Sequence, residues 1–266
     1  NNSYHPQVTT FSIVNSPIPA PSHYAFDDPI GNVKNDILEN CFQKFIETQA
    51  PFDIIHFHNL EGLTANCLKI AKQSGARVVF SLHNYWAVCP QVNLWKLESS
   101  HCDDYLDGRG CIACLPGSID LDLELSLRKL NHLGSLVYLN EQALPLKLLK
   151  KFYVIYHYKI WRRLKALTKS PLHKPLEIHG EKLPQQAQLY RDRREKIVSL
   201  INRYVDVALS VSERSASIYK HYGIKSDKLT TQYIGSKATQ FQVPFDKITN
   251  YSPGEPFRLI YIGHSR

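Results

Sequence analysis

Two short runs of this chain end where side chains most often meet a substrate. The run Asp-Ile-Ile-His-Phe-His-Asn at 53–59 and the run Ala-Arg-Val-Val-Phe-Ser-Leu-His-Asn-Tyr-Trp at 76–86 are mainly apolar, and each closes on polar, ring-bearing residues. His58 and Asn59 end the first; His83, Asn84 and Tyr85 end the second. A histidine at such a point can orient a substrate and stabilise developing charge. A second set of reactive groups is sulfur. Cys89, Cys102, Cys111 and Cys114 crowd into one segment with the spacing C-x12-C-x8-C-x2-C. Four thiolates would make a closed tetrahedral metal site, structural rather than catalytic, and His101 beside Cys102 is an alternative ligand. The plainer reading is a set of reduced thiols or one redox-labile pair. Cys41 and Cys67 fall on helix faces and read as small buried hydrophobes.

Strands must hold the two histidine ends. In an open α/β sheet the central parallel strands are apolar on both faces, and ligands sit beyond their carboxyl ends. On that pattern Ile54, Ile55 and Phe57 are interior in one strand, and Val78, Val79, Phe80 and Leu82 in the next. Residues 62–75 form the crossover helix, with Leu63, Asn66, Cys67, Ile70 and Ala71 at helical spacing and Gly75 as the stop. A β-α-β unit is nearly always right-handed, so both strand ends open on one edge and His58 can share a cleft with His83. His56 is expected to point away as a buried strand residue.

Other elements follow the same alternation. Residues 8–14 read as a strand, and 207–211 as a short buried one. Ser212 caps a helix over 213–222 that Gly223 closes, and 229–234 is a further strand. Residues 236–256, with prolines and polar residues, read as an interdomain linker before an apolar strand at 257–263. The fold class is therefore α/β with a parallel sheet. A helical and cysteine-rich insertion interrupts it over roughly 89–190.

Composition agrees with a folded core: 266 residues, 43% hydrophobic and 11% aromatic, carrying a net charge of +8. The sequence shows neither an apolar run long enough to span a bilayer nor a secretory signal pattern, so a cytoplasmic location is expected. From 121 to 167 the chain turns to Leu, Lys, Arg and Tyr. Leu149, Tyr153, Tyr156, Ile160, Leu164 and Leu167 form an apolar stripe among basic residues that include Lys147, Lys150 and Lys151. Such a helix fits an anionic membrane surface; it equally fits an amphipathic helix packed on the domain with a solvated basic face. No nucleic-acid module accompanies the charge, so nucleic acid is not the expected partner.

The order of these landmarks resembles family 4 glycosyltransferases. The residues that carry the likeness are D-I-I-H-F-H-N, then V-V-F-S-L-H-N-Y-W-x-x-C-P, then V-D-V-A-L-S-V-S-E and finally F-R-L-I-Y-I-G. One departure is Asn84, where the family often has Asp after the histidine. The resemblance implies two Rossmann-like domains of GT-B type. Residues 1–235 would form the acceptor-side domain, lacking its opening strand, and residues 257–266 would begin a second, donor-binding domain that lies mostly beyond Arg266. It implies a retaining transfer from a UDP- or GDP-linked sugar to a glycan or lipid-linked acceptor, in polysaccharide biosynthesis at the inner membrane face. His83 matches the family histidine that contacts the transferred sugar. His58, Asn59, Asn84 and Tyr85 would bind the acceptor, and Gly263 would let the donor approach the backbone. Cysteines after a Cys-Pro occur in some members, which ties Cys89, Cys102, Cys111 and Cys114 to the loop after His83. The rival readings are a catalytically silent, membrane-docked scaffold of the same fold and a sugar-nucleotide epimerase.

Overall fold

Ile54–Phe57 (β1) and Arg77–Leu82 (β2) lie side by side as parallel strands, with Ile55 opposite Val78 and Phe57 opposite Phe80. The computed structural model describes residues 9–26, 28–96, 99–112, 114, 121–138, 143–157, 182–233 and 259–262. After the short antiparallel pair Trp95–Lys96 (β3) and Ser100–His101 (β4), the strands Val207–Ser210 (β5), Leu229–Thr231 (β6) and Leu259–Ile262 (β7) complete a parallel sheet. Its order is β6-β5-β2-β1-β7, so the fold is mixed α/β.

One face of the sheet is dry. Ile55, Phe57, Val78, Phe80, Leu82 and Ala208 are buried there in a single core. Several helices contribute to that core, among them Asp36–Gln49 (α1) through Leu38, Phe42 and Ile46, Asn66–Gln73 (α2) through Cys67, Leu68 and Ala71, and Lys182–Tyr204 (α5) through Ile197 and Ile201. Burying a side chain of this size stabilises the fold by about 1.5–3 kcal/mol, so this face is where the sheet's stability is concentrated. The other face corrects the expectation of burial on both sides. Ile54, His56, Val79, Val207 and Leu209 are only half-buried. The alternation places the polar His56 and Ser81 on that face, which makes it the more polar of the two.

Local chemistry sets the helix ends. Asn35 caps α1 by accepting from the Leu38 N–H at 3.1 Å, while Glu39 accepts from the Asn35 N–H at 2.8 Å. Gly75, with φ of +90°, ends α2 in a conformation that costs a residue with a Cβ. Ser212 accepts from the Ser215 N–H at 3.1 Å and caps Glu213–His221 (α6), as its sequence indicates.

Two expected strands differ. Residues 9–14 have no regular structure, and Phe11, Ile13 and Val14 are exposed. Phe11 instead packs edge-on to Phe45 of α1, with ring centroids 5.0 Å apart. The segment expected to open a second domain pairs with β1, Ile54 opposite Leu259 and Phe57 opposite Ile262. With 9–14 unpaired, β1 had an open edge, and an apolar run satisfies its backbone groups. The expected linker at 236–256 and Gly263 lie outside the described residues.

From residue 121 onward the described part of the insertion is helical. Leu121–Leu136 (α3) and Leu144–Tyr156 (α4) pack together, and Leu146 is buried beside Gly134. Among the described residues no helix is long and apolar enough to cross a membrane.

Candidate functional site

His58 and His83 are the first residues beyond β1 and β2, and the parallel pairing brings them into contact. His58 Nδ1 lies 3.1 Å from His83 Nε2, with the rings stacked at 16° and centroids 5.3 Å apart. One nitrogen must donate and the other accept, so the contact needs one shared proton and is lost if both rings are fully protonated. His83 is exposed and His58 half-buried, which leaves the pair open to a ligand.

His56 belongs to this group, which corrects its expected orientation. Residues two apart on a strand share a face, and the His56 ring sits 4.1 Å from that of His58. His56 Nε2 is held 2.8 Å from Ser81 Oγ. Burial, then the neighbouring His58 and His83, lower the His56 pKa to about 4. Burial and His83 lower that of His58 as well. Both rings are therefore neutral at pH 7, able to accept or donate a hydrogen bond without carrying charge.

Glu61 organises the polar residues around them. Its Oε1 accepts from Asn59 Nδ2 at 3.2 Å and from Asn84 Nδ2 at 2.9 Å, and its Oε2 accepts from the Ser22 N–H at 2.6 Å. Asn59 Oδ1 in turn accepts from the Glu61 N–H, and Asn84 Oδ1 from the Trp86 N–H. The two asparagines expected to bind an acceptor are thus engaged with Glu61 and with the backbone, tying the two strand ends together. Tyr85 is half-buried, packs 5.8 Å from the Tyr219 ring and donates its N–H to Val92. The Tyr219 hydroxyl donates to the Asn84 carbonyl, which fixes the loop from the α6 side. Glu61 was not singled out from the sequence; its signal is an acid two residues after a strand-end asparagine. His56 was legible from the period of two.

The cysteine segment lies on the far side of the same loop. Cys89, Cys111 and Cys114 are buried, Cys102 is half-buried and none of the four is in a disulfide. Burial pushes the Cys111 thiol up to about 12. Among the described residues no three His, Cys, Asp or Glu side chains gather closely enough to hold a metal ion. His101 is exposed and meets Trp95 edge-on, with centroids 5.0 Å apart. A broad groove of about 1070 Å³ runs between this segment and α5–α6, lined by Asp103, Tyr105, Arg194, Asn202, Tyr222 and Lys225. None of the three clustered histidines lines it, so the groove and the histidine site are separate places on the molecule.

Comparison with protein-family models, with curated proteins and with solved structures returns no match to this chain.

Proposed function

We propose that this chain is the acceptor-side part of a retaining glycosyltransferase of GT-B type, and that the His58–His83 pair faces the sugar being transferred. The observation that carries the reading is the direct contact of two imidazoles at the carboxyl ends of adjacent parallel strands, the place where open α/β sheets hold their ligands. His56 and His58 offer neutral hydrogen-bonding groups, and the carboxylate of Glu61 is engaged by Asn59, Asn84 and Ser22. That suits a transfer without a covalent enzyme intermediate, in which the leaving phosphate of a UDP- or GDP-linked donor assists the incoming hydroxyl. The histidines then act by orientation and by stabilising charge. The acceptor is a glycan or lipid-linked glycan, met at the cytoplasmic face of a membrane.

A scaffold that only docks on a membrane is the second reading, favoured by the exposed apolar surface of α3 and α4. Thermal-shift and hydrolysis screens of sugar nucleotides on the full-length protein separate the two. The expected result is stabilisation by one donor, with turnover falling at least about a hundredfold in His83→Ala while the fold is retained. A folded protein that binds no donor overturns the enzyme reading.

A further inference from the structure

The groove beside α5 and α6 has a buried cation built into its wall. Arg194 of α5 lines it and is only 6% exposed. Three contacts fix the guanidinium: Nε donates to the Val88 carbonyl at 2.7 Å, and the group lies over the Tyr105 ring at 3.5 Å and the Tyr222 ring at 4.4 Å. Both rings line the groove too. They come from separate segments, so the arginine is clamped where those segments meet and gives up little freedom when a ligand binds. Its Nη1 is buried without an acceptor, and Arg194 is in none of the described ion pairs. Aromatic faces offset part of the lost hydration of a guanidinium, but an unpaired buried donor remains costly until an acceptor reaches it.

Further positive charge lines the groove from the same side. Arg203 of α5, His221 at the end of α6 and Lys225 in the turn that follows are all exposed in it. Asn202 ties that turn to α5, donating from Nδ2 to the Gly223 carbonyl at 2.8 Å and accepting from the Lys225 N–H at 2.9 Å. Neither Arg203 nor Lys225 is in a described ion pair. The acids of the groove are placed differently. Glu195 is paired with Arg191 at 2.9 Å, while Asp103 and Asp104 belong to the cysteine segment, where Asp104 accepts from the Leu106 N–H at 2.8 Å. An anion is therefore drawn to the α5–α6 wall and repelled from the other.

We propose that this wall binds a phosphoryl group, either free phosphate or the phosphate end of a small ester, with Arg194 as the buried anchor and Arg203 and Lys225 as its outer partners. A guanidinium fork fits carboxylate as well as phosphate, but a dianion matches several cations where a carboxylate matches one. None of His56, His58 and His83 lines the groove, so the site is independent of the proposed sugar transfer. The two places still share a part. Arg194 holds the Val88 carbonyl in the loop that follows His83, so an occupant and that loop are held by one guanidinium.

Titration calorimetry of the full chain with inorganic phosphate, glycerol 3-phosphate and acetate tests this. Both phosphoryl compounds should bind at one site with a Kd of about 1 mM or below, and acetate at least about tenfold more weakly. Tighter binding of the ester than of inorganic phosphate identifies an ester as the ligand; equal binding identifies the phosphoryl group alone. Replacing both outer cations, Arg203→Ala with Lys225→Ala, should weaken binding about tenfold, whereas Lys44→Ala with Lys69→Ala, which removes the same charge from exposed positions on α1 and α2, should not. Arg194→Gln should abolish it; if that variant does not fold, the outer pair decides. The proposal is overturned if neither phosphoryl compound binds, if acetate binds equally well, or if both double variants lose affinity alike. Loss of binding in His83→Ala would also overturn it, by placing the anion at the histidine site.

Discussion

At the scale of the residue, His56 and His58 are imidazoles kept neutral by their surroundings. A lowered native pKa means that the unfolded chain binds more protons than the folded one as pH falls below the ordinary histidine value of about 6.5. Stability from His56 is complete above that value and declines as pH falls towards about 4, where the native ring also charges. His58 adds to the decline in the same direction. His56→Gln should therefore flatten the loss of stability between about pH 6.5 and pH 4, measured by urea unfolding across that range. NMR titration of the wild-type ring should place the His56 midpoint near 4. Little of this is visible in the residue string. His58 and His83 were legible as strand ends, whereas the Glu61 hub depends on two loops meeting and carries no period.

At the scale of the element, Asp206 does the most to lock strands and helices in register. It lies between α5 and β5, both its oxygens accept from Lys72 of α2 at 2.8 Å, and Oδ2 also accepts from the Val78 N–H of β2 at 2.8 Å. Burial alone would raise its pKa, but the bonds from Lys72 and Val78 outweigh it and lower the carboxyl below its ordinary value. Its contribution is thus present above the ordinary carboxylate range and lost as pH falls through the lowered value. Lys72 is partly exposed, so solvent screens the pair. Asp206→Asn should cost about 1 kcal/mol at pH 7, read from the urea midpoint, and the cost should shrink in acid. Strand cores and the Ser212 cap were readable because each is decided within a few residues. The edges of the sheet were not, since which apolar segment pairs with β1 is settled by competition between distant parts of the chain.

At the scale of the whole molecule, the surface is uneven. Leu148, Leu149, Phe152 and Tyr156 of α4 are exposed, with Leu133 and Leu136 of α3 beside them. The described part of α4 contains Lys147, Lys150 and Lys151 and no acidic residue. The expected stripe agrees in part: Leu149 and Tyr156 face solvent, Tyr153 is half-buried, and Ile160, Leu164 and Leu167 lie outside the described residues. Apolar side chains ringed by lysine complement an anionic bilayer, and removing one phenyl group from lipid forfeits about 2 kcal/mol. Co-sedimentation with phosphatidylglycerol vesicles should therefore detect binding, and Phe152→Glu should weaken it more than about tenfold. Equal binding to neutral and anionic vesicles would remove the electrostatic part of this reading.

The sequence by itself determined the α/β class, the central strands, the caps and the strand-end histidines. Each depends on short-range periodicity, burial or backbone conformation. Only the tertiary structure decided that His56 turns towards the site, that Glu61 ties Asn59 to Asn84, that β7 joins β1, and that Arg194 is clamped against Tyr105 and Tyr222. Those outcomes require residues from separated segments to compete for one edge, one acceptor or one patch of low dielectric, and the pattern within a single segment does not contain the competitor.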